Sequence, residues 1–339
     1  TQQKANLSGA VAQLDSKELT SRPISNVSSG LQGMMPGVTV TSGQGRPGQD
    51  GSTIRIRGVG TINNNDPLYV VDGLPQGDIG WLNARDIESI EVLKDASAQA
   101  IYGARAANGV VVITTVAPQM GKLNVSYNFT GDVTVPDLSD YNLMNAREKL
   151  ETEVAAGVFE DLAKDNPLGA EQQYYAKLAS ITRGVDTYWL SEPLQMGFNH
   201  RHNLYAEGGD EHMRYGFGLS YNGVTGVMKD SKKNLFSGNL DLLYRKGKLQ
   251  FSNKLTANLS NSGDPVVNFS TYAAANPYYE KRVDGQVEKW LEYVEDYIEA
   301  PNPLWNASLN SRSLKRSLGI TDNFAVEYNP FQSLKLRGR

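Results

Sequence analysis

The stretch LNVSYNFTGDVTV (residues 123–135) puts Leu123, Val125, Tyr127, Phe129, Val133 and Val135 on one face of an extended chain, and Asn124, Ser126, Asn128, Thr130, Asp132 and Thr134 on the other. Successive side chains of a strand point to opposite faces, so a period of two held over this length predicts a long β-strand. The alternation returns in Tyr215, Phe217, Leu219 and Tyr221, in Phe236, Leu240, Leu242 and Tyr244, in Leu249, Phe251, Leu255 and Leu259, and in Ile320, Phe324, Val326 and Tyr328. Two architectures share this signature. A soluble antiparallel sandwich buries the apolar faces between sheets, whereas a transmembrane barrel turns them to lipid.

Connection lengths separate the two. The links at 208–212 (GGDEH), 245–248 (RKGK) and 329–333 (NPFQS) are short, those at 137–200, 223–233 and 261–315 are long, and the two kinds alternate strictly. Outer-membrane barrels have that asymmetry, with tight turns at one rim and long loops at the other, and a sandwich has no reason for it. The loop 137–200 carries a helical stretch of its own, LMNAREKLETEVAAGVFEDLAK, with Asn142 as a candidate cap.

Upstream the chemistry differs. Residues 1–118 hold only Tyr69, Trp81 and Tyr102 of the chain's 30 aromatics, so a boundary is expected at Pro118. Within 1–118, VTV (38–40), TIRIRG (53–58), LYVVDG (68–73), IESIEVL (87–93) and GVVVITT (109–115) read as short β-branched strands. Asp15, Ser25 with Asn26, and Ser97 stand where caps open short helices between them. This predicts a small α+β domain ahead of the barrel strands. Asp72-Gly73 and Asn108-Gly109 supply the positive φ that tight turns require.

The chain of 339 residues has a formal net charge of −4 and no cysteine, which argues against a nucleic-acid partner and excludes disulfides, thiolate metal sites and cysteine nucleophiles. No run approaches the roughly 18 apolar residues of a transmembrane helix, which says nothing of spanning strands. Thr1 follows no basic or apolar leader, so a signal peptide is expected to have been removed. His200 and His202 share a strand face, but no carboxylate or third histidine stands at ligand spacing, His212 included, so no metal or other cofactor is expected. Glu88 and Glu91 lie along a strand as solvated or paired acids, and no catalytic constellation indicates an enzyme.

LQGMMPGVTVTSG (31–43), IRIRGVG (54–60), DPLYVVDGLP (66–75) and DIESIEVLKDASAQAIYGARAANGVVVITT (86–115) resemble the plug of the SusC/RagA-like TonB-dependent transporters. YWLSEPLQMGFNHRHNLYAEGG (188–209), RYGFGLSYNGVTGVMKDS (214–231), ANPYYEKR (275–282) and NPLWNASLN (302–310) continue the resemblance into the barrel. It implies a plug over 1–118 with a small mixed four-stranded sheet, then antiparallel barrel strands over 119–339, an incomplete share of a closed barrel of about 22 strands. It further implies the outer membrane of Bacteroidota and TonB-driven import of an oligosaccharide or peptide. The implied partners are outer-membrane lipid, a SusD-like surface lipoprotein as lid, and TonB, whose contact segment would lie upstream of Thr1. An inward-signalling receptor and a passive surface binder are the competing functions.

If strands 38–41, 53–58 and 68–73 run up, down and up, loops 43–52 and 74–82 share one end, which the resemblance puts outside the cell. That nominates Gln44, Arg46, Gln49 and Asp50 with Gln76, Asp78 and Trp81 as the floor of the cargo cavity. Tyr278, Tyr279 and Trp305 in the last long loop are candidate contacts to cargo or lid. Arg55 and Arg57, alternating with Ile54 and Ile56, are candidates for seating the plug against the wall, with Glu88 and Arg105.

Overall fold

The computed structural model describes residues 11–15, 18–19, 26–41, 45–48, 51–56, 58, 65–94, 102–294, 298–331 and 334–339. The first domain contains strands β1 (Val11–Asp15), β2 (Val38–Thr41), β3 (Thr53–Ile56), β4 (Leu68–Val71), β5 (Leu74–Gln76), β6 (Ile87–Leu93) and β7 (Val110–Thr115). One turn of helix, α1 (Val27–Gly30), is capped by Asn26, whose Oδ1 accepts from the Ser28 amide at 2.9 Å. The region of the helix expected from Ser97 is described only from Tyr102, where a 3-10 turn runs Gly103–Ala106.

The main sheet has five strands, in the order β1-β6-β7-β4-β5, one more than the four expected. It is mixed, since β4 runs parallel to β7 while the other pairs are antiparallel. Two of its strands were not read from sequence: β1, VAQLD, whose two polar residues gave no apolar run, and β5, LPQ, the three residues just past the Asp-Gly turn. The strands β2 and β3 form a separate hairpin sheet. A bulge between Ile87 and Ser89 lets Ile87, Ile90 and Val92 all face the core although their spacing breaks the period of two. The core packs Leu31, Ile54, Ile79, Ile87, Ile90, Val111 and Ile113, all essentially fully buried.

The long strands form one antiparallel sheet of seven: β8 (Gly121–Thr134), β9 (Gly197–Gly209), β10 (Met213–Thr225), β11 (Lys232–Lys246), β12 (Leu249–Asp264), β15 (Ser313–Phe331) and β16 (Leu334–Gly338). Between β12 and β15 lies a small hairpin, β13 (Trp290–Val294) with β14 (Ile298–Pro301). Each long strand pairs with its sequence neighbour in this sheet, as a meander does. The apolar faces point away from the first domain: Phe217 is 43% exposed, Phe324 52% and Leu318 69%. The polar faces pack against that domain, leaving Asp241 7% and Thr256 9% exposed. A soluble sandwich would bury the first set and wet the second. Here the pattern is inverted, as a lipid-facing wall requires.

Tight turns at 210–212 and 247–248 mark one rim. The segments 135–196, 226–231 and 265–312 mark the other, and they are shorter than the loops read from sequence because β9 to β12 and β15 extend further into them. Two of these segments build a lobe from helices α2 (Ala146–Ala155), α3 (Val158–Asp165), α4 (Pro167–Thr182), α5 (Phe269–Ala274) and α6 (Pro303–Ser308). The cap of α2 is Asn145 rather than Asn142: its Oδ1 accepts from the Glu148 amide, and Glu148 returns a bond to the Asn145 amide.

Candidate functional site

The β4–β5 hairpin turns on Asp72 and Gly73, both in the left-handed region at φ 47° and 79°. That is the turn the Asp-Gly pair foretells. Its side chain does more than shape the turn. Asp72 accepts from the Thr115 amide at 3.0 Å and hydroxyl at 2.7 Å, fastening β4 to the end of β7. It also meets Lys254 of the wall, whose Nζ lies 3.1 Å from Asp72 and 3.3 Å from Asp241 and contacts the Thr115 hydroxyl. Asn323 and Arg339 donate to the Asp72 carbonyl. Wall strands therefore hold this one turn from several sides. A second tie joins Asn83 Nδ2 to Asn203 Oδ1 at 2.6 Å.

Asp86 stands beside this cluster, and its carboxyl is pushed up to about 6, first by burial and then by Asp241, against the opposing pull of Lys254. Tyr69 in β4 is pushed up to about 12 by burial, with Asp66 and Asp78 adding to the shift.

Toward the long-loop rim, a cavity of about 400 Å³ opens between plug and wall. Gly48, Gly51, Gln76, Asp78 and Trp81 line it from the plug, and Lys233, Ser262 and Lys315 from the wall, where Lys233 and Lys315 flank Ser262 in one cross-strand row. Arg46 lies nearby, with its guanidinium 3.4 Å from Asn268 Oδ1 of the last long loop. The two nominated loops thus share an end, but not for the reason expected: β4 belongs to a different sheet from β2 and β3. Gln44, Gln49 and Asp50 lie outside the described residues, as does Arg57. Trp81 has two roles, packing on the plug core and lining the cavity, with its indole N–H donating to the Asp78 carbonyl at 3.0 Å.

Tyr278 is 1% exposed, buried beneath the lobe of helices rather than presented at the surface. Its hydroxyl donates to Glu153 at 2.8 Å, and Glu153 also meets Lys177 at 3.3 Å, which joins α2 and α4 to the last long loop. Burial, then the Tyr279 hydroxyl and Glu153, hold the Tyr278 phenol well above its ordinary range. Tyr279 is half-buried against Glu292, and Trp305 is half-buried in α6. Arg55 does leave the core face while Ile54 and Ile56 stay buried, but no wall partner is found for its Nε, and Glu88 and Arg105 are exposed. Among the described residues, Asp72 and Asn83 make side-chain ties to this part of the wall. His200 and His202 point outward, packed among Phe129, Phe198 and Tyr221, with Tyr127 Oη 2.7 Å from His202 Nδ1.

Residues 3–110 match the family model described as TonB-dependent Receptor Plug Domain. The chain is 32% identical to the TonB-dependent receptor SusC of Bacteroides thetaiotaomicron over 250 residues, which is 70% of this chain and 23% of SusC. It is 29% identical to the TonB-dependent receptor P26 of Formosa agariphila over 350 residues, covering 99% of this chain and 33% of P26. It therefore spans a third or less of these relatives. Among solved structures, the RagAB peptide importer in its open-open state superposes with a TM-score of 0.79 at 24% identity, over 99% of this chain and 40% of that one, a likeness of fold.

Proposed function

The chain belongs to the SusC/RagA-like TonB-dependent proteins of the Gram-negative outer membrane, and on that premise we propose that the whole protein imports a polar oligomeric nutrient, an oligosaccharide or a peptide. TonB would supply the work from the inner membrane, and a SusD-like lipoprotein would close the outer mouth over the long loops.

The observation that carries this reading is a folded plug tied to the polar face of the wall while the apolar face is bare. A pore filled in this way passes nothing until the plug is rearranged, so an energised step gives the arrangement a purpose. The cavity at the long-loop rim is the proposed outer binding site, with Arg46, Gln76, Asp78 and Trp81 as its floor and Gln44, Gln49 and Asp50 as further contributors. Amides, charges and one aromatic face suit a polar oligomer. Trp305 and Tyr279 remain proposed contributors to the surrounding loops, and Arg57 a proposed seat for the plug. The test is growth and uptake on candidate glycans and peptides, with the full-length gene present or deleted and the neighbouring lipoprotein intact. Loss of use of one cargo on deletion is expected, and unchanged use of every cargo would overturn the reading.

A further inference from the structure

Beneath Trp81 a second cavity of about 250 Å³ runs between plug and wall, sharing Gln76, Trp81, Asn258 and Thr321 with the outer cavity above it. We propose that this inner cavity is a second ligand subsite, shaped for one uncharged, hydroxyl-rich sugar unit of the cargo, with Trp81 and Gln76 at the neck between the two sites.

Four observations support it. The space far exceeds what one or two structural waters occupy. Its wall is a grid of short neutral groups, Asn128, Asn203, Asn239, Asn258, Thr256 and Ser237, supplied by strands β8, β9, β11 and β12. An amide side chain both donates and accepts, as does every hydroxyl of a sugar, so the two match without a fixed polarity.

The room is also made by the sequence. On the inner face of β10 stand Gly216 and Gly218, and a Cβ at either would collide with the Tyr205 hydroxyl or the Asn239 amide, which lie across them from the neighbouring strands. Larger residues there would push both polar groups aside. The charges on the lining cancel: Asp72 and Asp86 against Arg85 and Lys254, with Lys254 already held by Asp72 and Asp241. With as many cations as carboxylates on the lining, no net charge favours an ionised ligand over a neutral one.

This inference rests on the import reading but is tested apart from it. The chain has no cysteine, so Val116→Cys, on the lining but outside the polar grid, reports on the inner cavity and Ser262→Cys on the outer one, in full-length protein with any cysteines elsewhere replaced by serine. The rate of modification by a small methanethiosulfonate is measured with and without glucose, galactose or mannose, or with an uncharged blocked dipeptide or glucuronate. If Val116→Cys fails to assemble, Leu74→Cys on the same lining serves. Protection scales as one plus ligand over Kd, so a bound neutral sugar at four times its Kd slows inner labelling about fivefold. That result, with the dipeptide and glucuronate without effect, is expected. An inner rate unmoved by every sugar, or slowed equally by the dipeptide or glucuronate, overturns the subsite. Uptake that ignores TonB would sink the import reading and leave the labelling result standing.

Discussion

Replacing Lys254 with methionine removes the cation that bridges Asp72 of the plug and Asp241 of the wall while keeping most of the side-chain volume. The three side chains are 21%, 20% and 10% exposed, so water screens them little. Breaking a buried pair from one side costs about 3–5 kcal/mol, because the charge left behind has lost its solvent and its partner. Here two carboxylates face each other, but partial exposure and the Thr115 bonds to Asp72 soften the loss, so about 3 kcal/mol is expected. That is roughly a hundredfold shift from seated to loosened plug. Cells carrying full-length Lys254→Met should admit vancomycin, which the intact outer membrane excludes, whereas Lys254→Arg should stay tight. Adding Asp241→Asn to Lys254→Met should recover part of the loss by removing one orphaned charge. A tight pore and unchanged plug hydrogen exchange in Lys254→Met would refute the idea that this cluster seats the plug.

Phe217→Arg places a charge on the outward face at a cost of about 2–4 kcal/mol near the bilayer centre and should lower the amount of assembled protein more than Ser220→Arg on the inward face; equal amounts by heat-modifiable gel shift would contradict the assigned faces. Trp81→Ala and Arg46→Ala should each weaken cargo binding about tenfold at normal protein levels, and reduced levels with normal affinity would instead assign both residues to holding the plug together. Asp86 binds its proton more tightly when folded, with a value near 6 against an ordinary 3.8, so its favourable contribution is complete below pH about 4 and is lost as pH rises through about 6. Asp86→Asn should therefore flatten the fall in hydrogen-exchange protection of β6 across that window in full-length protein, and an unchanged slope would argue against Asp86 as its source.

The wall was legible because a strand between lipid and a polar interior must alternate, and residues 123–135 or 215–221 show nothing else. The plug strands were legible from their β-branched runs, with the short β1 and β5, VAQLD and LPQ, as the exceptions. What stayed hidden depends on distant pairing. Asp72 reads as a turn residue, and nothing local announces Lys254, which lies 182 positions along the chain in a different domain. Asn83 and Asn203 are likewise joined only by the fold. Tyr278 looked like a loop aromatic available to a ligand, yet acceptance by Glu153 and packing under the lobe bury it. The convergence of loops 43–52 and 74–82 was anticipated through a strand order the chain does not have, since β2–β3 stand apart from the main sheet.

The central claim, that the plug is moved by work delivered from the inner membrane, is tested most directly by following surface binding and uptake of one labelled cargo in the same cells, with TonB present, with TonB deleted, and with the proton-motive force collapsed. Binding that persists in all three conditions, with uptake only in the first, is the predicted result. Uptake that continues without TonB and without the proton-motive force would contradict it.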